Sequence, residues 1–474
     1  MRGRAAVVLD VGKTLSKLSL WAPDGHQLAQ CHRPNDRIDT GDYVALDAAG
    51  IEEFLAETLA SFARLADVGA IIPVGHGAAA ALVNEGRLVA PPLDYEHPIP
   101  AALRREYDAE RDPFILTGSP ALPDGLNLGA QLFHLHARRP DLFRAGITIL
   151  PWAQYWSWLL SGVAASEVTS LGCHTDLWRP LSQTPSELSI RRGWSRQFAP
   201  LRSAGEVLGP LRDDWAHRTG LPPDVEIHCG LHDSNAALLA ARAFPEISEH
   251  DSTVLSTGTW FVAMRSPSSS ARVDIASLDE RRDCLVNVDA FGNPIPSARF
   301  MGGREIELLT GLDTRRIDIR PDQAMLLSKV SDVLASEAVV LPTLAPGCGP
   351  FPHGRGRWIS MPDDEAQRRT AVCLYAALVT DAALDLAGAR DRLLIEGRFS
   401  ESEVFVRALA TLRPDTRVYV SHARSDVSFG ALRLLQPDLQ PSSSLVRVLP
   451  LPHDLTDYRQ RWRQEAERTE RASA

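Results

Sequence analysis

Short apolar runs that stop at a glycine recur along this chain. Ala5–Leu9 is apolar and gives way to Asp10 and Gly12, the pattern of a buried strand running into a loop. Leu18 and Leu20 alternate with Lys17 and Ser19 and predict a second strand. Ala22-Pro23-Asp24-Gly25 is a turn, because proline presets φ and glycine supplies a positive one. His26–His32 returns as a third strand, so three antiparallel strands open the chain. Ile51, Phe54, Leu55, Leu59, Phe62 and Leu65 follow at helical spacing, and Ala70–Val74 is another strand, ending in Gly75-His76-Gly77. Strands alternating with helices define an α/β chain.

From Asn127 to Gly162 the pattern is mostly helical and aromatic, with Trp152, Tyr155, Trp156 and Trp158 close together. Val225–Cys229 predicts a strand, and Gly230-Leu231-His232-Asp233 leads into an alanine-rich helix that ends near Phe244-Pro245. The polar stretch Glu246–Ser252 is the expected domain boundary. Beyond it the opening pattern returns as strand Thr253–Ser256, turn Thr257-Gly258-Thr259 and strand Trp260–Met264. Strand Leu393–Ile395, helix Val404–Leu412, strand Arg417–Val420 and helix Val427–Leu435 complete the second half. Two halves that each open on a hairpin with a Gly-Thr turn predict duplicated domains, 1–245 and 246–457, around one cleft. The tail 458–474 is dense in Arg and Glu and reads as a surface helix that frays.

Composition adds bounds. At 474 residues, and roughly 150 per domain, two or three domains are expected. Sixty acidic against fifty basic residues give a net charge of −10, which weighs against a nucleic-acid partner. Lysine occurs only at Lys13, Lys17 and Lys329, and two of these lie beside the first strand. The six cysteines are scattered, without a CxxC pair, and read as reduced buried thiols. The apolar run after the basic N-terminus is too short for a signal peptide, and no stretch reads as a membrane span. A cytoplasmic protein without membrane partners is expected.

Gly12-Lys13-Thr14 invites a P-loop assignment, but that pattern needs a glycine where Val7 stands, and a helix where a strand follows. What remains is a carboxylate, Asp10, at a strand end, then a glycine turn whose amides suit phosphate; the alternative is an ordinary hairpin turn. Thr257-Gly258-Thr259 is a similar turn without a lysine. Asp233 reads equally as a helix N-cap or as a general base at the carboxyl end of a strand. His76, flanked by glycines, is placed to donate a hydrogen bond to a substrate hydroxyl, or is a plain loop histidine; it has no partners at metal-ligand spacing. The Trp152–Trp158 cluster suits a helix core, or a sugar face.

In this order, Asp10-Val-Gly-Lys-Thr14, Ser161-Gly162, Gly230-Leu-His-Asp233, Leu255-Ser-Thr-Gly-Thr259 and Ile395-Glu-Gly397 resemble the FGGY carbohydrate kinases, and among them the rhamnulokinase, fuculokinase and xylulokinase type. The resemblance spans nearly the whole chain. It implies two ribonuclease-H-like domains of the actin-like ATPase kind around a central cleft, and ATP-dependent phosphorylation of a ketose hydroxyl with Mg²⁺. It implies Asp233 as catalytic base and Asp10 as a carboxylate holding Mg²⁺ through water. Gly12, Lys13 and Thr14, Thr257, Gly258 and Thr259, and Gly397 with Arg398 would bind ATP. His76, Trp152, Gln154 and His232 would line the sugar with Asp233. The expected partners are the sugar and ATP, with a homodimer as the candidate assembly. Two departures stand out: Lys13 replaces a small hydroxyl residue and would face the triphosphate, and Arg398 replaces the second glycine of the adenosine loop. A sugar-binding or regulatory protein on the same fold, and an activator ATPase of the same superfamily, are the rival expectations.

Overall fold

Ala5–Val11 (β1) is buried at every position except Asp10, as the central strand of a covered sheet must be. In the computed structural model, which describes residues 3–268, 272–314, 316–421 and 427–473, the chain divides into two units. The first comprises Met1–Ala240, Val286–Pro294 and Ser425–Gln440; the second comprises Ala241–Leu285, Ile295–Arg424 and Pro441–Ala474.

In the first unit β1 pairs antiparallel with Leu15–Trp21 (β2), which pairs antiparallel with Gln27–Pro34 (β3). On its other side β1 pairs in parallel with Val68–Gly75 (β4). Val207–Pro210 (β5) and Glu226–His228 (β6) extend the sheet to the order β5-β6-β4-β1-β2-β3, and Leu231–His232 (β7) adds to β4 in parallel. Helix Ala48–Phe62 (α1) packs Ile51, Leu55, Leu59 and Phe62 on this sheet, and helix Trp152–Ser161 (α2) adds Trp152 and Trp156. Val168–Leu171 (α3), Asp213–Thr219 (α4) and Asp233–Ala241 (α5) follow.

The second unit repeats the plan. Ser252–Thr257 (β8) and Phe261–Ser266 (β9) form the hairpin, and the sheet continues beyond β9 in Pro294–Phe300 (β11) and Cys284–Val288 (β10), of which residues 286–288 and Pro294 group with the first unit. Helix Gly302–Thr310 (α6) and the long helix Glu365–Ala387 (α7) precede Arg392–Gly397 (β12), which pairs with β8 in parallel. Glu403–Leu412 (α8), Arg417–Ser421 (β13), Val427–Leu435 (α9), Leu445–Arg447 (β14) and Thr456–Ser473 (α10) complete the chain, and the sheet order is β10-β11-β9-β8-β12-β13-β14. In each sheet the first strand of a hairpin lies between its antiparallel partner and a later parallel strand, β4 beside β1 and β12 beside β8.

Four details differ from the sequence reading. The change of unit falls at 240/241 rather than 245/246, and α9 lies with the first unit although the chain reaches it from the second. There Ser428 Oγ lies 3.3 Å from Ser19 Oγ of β2, and Gly430 sits so close to α5 that a Cβ would run into the Ala236 carbonyl. The tail is not a fraying helix: Trp462 of α10 is fully buried, its indole donates to Val340 O at 2.8 Å, and Arg459 and Arg463 pair with the buried Asp381 of α7. Finally, α7 is long and apolar enough to cross a membrane by length and composition, which the sequence reading missed; 83 % of its most apolar window is buried inside the structure, as in the core helix of a globular unit.

Candidate active site

The register of the first sheet gathers the chemistry of this unit. Asp10 lies opposite Val74 across β1 and β4, Val11 opposite Gly75, and His232 opposite Gly75 across β7 and β4. Asp10, Gly75-His76 and His232-Asp233 therefore leave neighbouring parallel strands at their carboxyl ends, where α/β sheets bind ligands.

Asp233 begins α5, and its side chain is 31 % exposed beside buried neighbours. Its carboxylate does not serve the amides two or three residues on, as a capping side chain does. Instead Oδ1 accepts from Ser234 N at 2.5 Å and Ser234 Oγ at 3.2 Å, and His232 Nε2 lies 3.2 Å from the same oxygen. These contacts all fall on Oδ1, so the carboxylate is anchored on one side. His232 is buried, which lowers its pKa and keeps the ring neutral. Its backbone N–H donates to Thr169 Oγ1 at 2.9 Å, its Nε2 meets Cys173 Sγ at 3.3 Å, and its Nδ1 lies 3.5 Å from Asn235 Nδ2.

The turn before Asp233 is braced from beneath. Gln154 Nε2 donates to Cys229 O and Gly230 O at 3.2 and 3.0 Å, and Ser157 Oγ donates to Cys229 O at 2.8 Å. Gln154 is fully buried; its amide nitrogen supports the loop before Asp233, while its Oε1 has no hydrogen-bond partner among the described residues. Thr169 Oγ1 in turn donates a hydrogen bond to Glu167, a fully buried carboxyl that also accepts from Ser170 N at 3.2 Å. Burial pushes Glu167 up to about 7.

His76 also corrects an expectation. Its Nδ1 lies 2.6 Å from Gly77 O, an acceptor, so Nδ1 carries the proton. Burial keeps the ring neutral, which makes Nε2 an acceptor, not the donor the sequence reading assumed. That Nε2 is buried and has no hydrogen-bond partner among the described residues. The loop is held stiffly: Ala78 has φ +55°, and Gln131 Nε2 donates to its carbonyl at 2.5 Å. Tyr95 lies edge-on to His76 with ring centroids 5.7 Å apart, and Trp152 lies 6.3 Å away. Trp152 stacks on Tyr155 and is almost wholly buried, as are Trp156 and Trp158. The cluster is core, although the buried Trp152 indole N–H has no hydrogen-bond partner among the described residues.

The two lysines near β1 each meet a carboxylate. Lys17 Nζ lies 3.6 Å from Asp10, its cross-strand partner. Lys13 forms an ion pair with the buried Asp94, lies 3.8 Å from Glu96, and sits 4.8 Å above the Tyr95 ring. Its ammonium is thus engaged by its own unit, where the sequence reading had it facing a triphosphate. Asn35 braces the same turn, donating to Gly12 O at 2.8 Å, and Thr14 remains exposed.

In the second unit Thr257 lies opposite Gly397 at the carboxyl ends of β8 and β12. Gly397 has φ +88°, and a Cβ there would strike the Thr257 carbonyl. The Thr257 hydroxyl donates to Glu396 O and accepts from Phe399 N at 3.1 Å, so it holds two loops together and leaves Gly258 and the exposed Thr259 to face outward. Gly303, in the first turn of α6, presses on Gly258 so tightly that only glycine fits. Arg398 Nη1 donates to Thr314 Oγ1 at 3.0 Å, and the guanidinium lies 5.7 Å from the Phe399 ring. An apolar pocket opens beside this loop, lined by Ile306, Thr310, Cys373, Phe399, Ser402 and Phe405.

Tyr95, Asp94, Asn35, Glu167 and Gly303 escaped the sequence reading. Of these only Gly302-Gly303, ahead of an amphipathic run, carried a recognisable signal. Among the described residues no group of three or more His, Cys, Asp or Glu side chains is gathered as a metal cluster, and a single carboxylate such as Asp10 suits a hydrated Mg²⁺ rather than a caged ion.

Two units of one sheet plan, each with a glycine turn at its hairpin and one with a carboxylate poised at a strand end, define a two-domain actin-like ATPase fold. Comparison sharpens the class. The profile of the carbohydrate kinase FGGY C-terminal domain matches residues 249–442. A carbohydrate kinase from Novosphingobium aromaticivorans is 55 % identical, superposes with a TM-score of 0.94, and is matched over 98 % of this chain and 99 % of its own. The xylulose kinase of Rhodospirillum rubrum shares the fold at 17 % identity, with a TM-score of 0.75 over 99 % of this chain and 98 % of its own. L-fuculokinase of Haemophilus influenzae is 29 % identical over 186 residues, 38 % of this chain and 37 % of that protein's length. The chain belongs to the FGGY carbohydrate kinases, enzymes that transfer a phosphoryl group to a sugar hydroxyl.

Proposed function

We propose that the chain transfers the γ-phosphoryl group of ATP to a hydroxyl of a ketose, a rhamnulose-, fuculose- or xylulose-like sugar, in the cytoplasm. The observation that carries this reading is the one-sided anchoring of Asp233 at the end of β7. With Oδ1 held, Oδ2 accepts the hydroxyl proton as the sugar oxygen attacks the γ-phosphorus; the bond to the bridging oxygen breaks and ADP leaves. His76 Nε2 accepts from a second hydroxyl and so orients the ring, and Tyr95 and Trp152 wall that side. The turns at Gly12–Thr14 and Gly258-Thr259 offer backbone amides to the phosphates. The adenine lies in the apolar pocket beside Phe399. Asp10 would hold Mg²⁺ through water, an ion that when bound neutralises charge on the β- and γ-phosphates.

The test is ADP release with Mg²⁺-ATP across a panel of ketoses, aldoses and polyols, with Asp233→Ala alongside. Release with one or two ketoses, lost in the variant, supports the reading; an aldose preference, or a variant that keeps its rate, overturns it. A second reading, a sugar-binding or regulatory protein with weak catalysis, draws on Arg398, which stands where the adenosine loop of the family has its second glycine and is bonded to Thr314. Calorimetry showing sugar binding without ATP binding would favour it.

A further inference from the structure

Lys13 stands in a turn that presents backbone to phosphate, yet its side chain runs the other way. Asp94, its ion-pair partner, has a fully buried side chain, and that of Lys13 is only 11 % exposed. Glu96 lies 3.8 Å away, so two carboxylates already share this one cation. The same ammonium covers the face of Tyr95 at 4.8 Å, and the Tyr95 ring meets His76 at 5.7 Å. Asp94 is itself fixed, accepting from Glu96 N at 2.8 Å through its other oxygen and donating its own backbone N–H to Val44 O at 3.0 Å. A continuous chain of contacts thus leads from the Gly12–Thr14 turn through Lys13, Asp94 and Tyr95 to His76.

We propose that Lys13 is a positioning residue, whose ion pair with Asp94 ties the first Gly-Thr turn to the sugar-side wall so that one bond sets the geometry of both. The inference rests on the kinase reading above for the meaning of the two ends, but not for the existence of the tie. A cation shared by two carboxylates brings no net charge to a triphosphate. Removing either partner strands a buried charge, which local structure must move to relieve. The turn loses its anchor on one side, and Tyr95 loses the cation over its face. Both substrates are then affected by a side chain that touches neither.

The experiment is a double-mutant cycle of Lys13→Met and Asp94→Asn, with Mg²⁺-ADP binding measured by calorimetry. A tie predicts that each variant weakens Mg²⁺-ADP about fivefold and that the double variant is no weaker than either alone. A lysine that served phosphate would give the opposite sign at one corner, because Asp94→Asn would free the ammonium and tighten the nucleotide; that result overturns the proposal, as do additive losses. In turnover with the ketose the wild type prefers, both variants raise the sugar KM by a similar factor, which a phosphate ligand would not do; an unchanged sugar KM also overturns it. Lys13→Arg, which keeps the cation, provides a second variant should Lys13→Met melt early; paired with Asp94→Asn it repeats the cycle, and a gain in ADP affinity at the Asp94→Asn corner overturns the tie. A wild-type protein that binds Mg²⁺-ADP but turns over no sugar counts against the kinase reading alone, since the nucleotide cycle needs no sugar.

Discussion

The two units share a sheet plan and differ in what they place at its rim. The first sets side chains there, namely Asp10, Lys13, His76 and Asp233, each held by named partners. The second sets glycines there, Gly258, Gly303 and Gly397, packed so closely that no Cβ fits at the latter two. A sugar is told from its isomers by where its hydroxyls point, and only directional side chains read that. A polyphosphate presents the same oxygens everywhere, and backbone amides in a tight turn serve it well. On the proposed function, one architecture, duplicated, thus supplies a discriminating end and a generic one.

Substitutions that break this division should separate cleanly. The largest effect is expected at Asp233: Asp233→Asn lowers kcat about a thousandfold while the sugar still binds, as calorimetry with the preferred ketose would show. Next, His76→Phe keeps a ring but removes the Nε2 acceptor, and steady-state kinetics should show sugar KM up about tenfold with ATP KM unchanged. Gly397→Ala should do the reverse, raising ATP KM and leaving sugar KM alone. It also costs roughly 1–3 kcal/mol in denaturant unfolding, from the strained φ and the collision with Thr257 O.

The smallest effect is a pH dependence. Glu167 in the folded chain titrates at about 7 against an ordinary 4.5. The folded state therefore holds this proton where the unfolded state has lost it, and stability falls as pH rises from about 4.5 to about 7. Glu167→Gln removes the dependence, so its melting temperature relative to wild type should be higher at pH 8 than at pH 5. A constant difference across that range would show that Glu167 is charged in the fold.

Much of the fold and part of the site are legible in the amino-acid sequence. The strand–turn–strand openings, Asp233 after a strand, and the repeated Gly-Thr turns are local patterns, and local patterns survive in sequence. Lys13 shows the limit, because its position in a glycine turn implies phosphate while its partner, Asp94, lies on a distant loop without periodicity. Gln154 shows a similar limit: its amide nitrogen is bonded to carbonyls at 229 and 230, some 75 residues away in sequence, a contact that no local pattern announces. The tail misled because Arg and Glu dominate its composition, whereas Tyr458, Trp462 and Ala466 alone decide which face is buried.

Helix α9 bears on how the protein is made. The first unit takes its central sheet and Asp233 from residues before 241, yet it also takes Val286–Pro294 and, with α9, Ser425–Gln440. On the ribosome, that unit waits for nearly the whole second half to be synthesised before the helix behind Asp233 has its neighbour, and until then the face of α5 at Ala236 stays bare. A fragment ending at residue 240 would carry Asp10, His76 and Asp233 and still lack two segments of its own unit. The order of synthesis and the order of assembly are therefore interleaved, and cutting the chain at its apparent midpoint yields one incomplete unit rather than two independent ones.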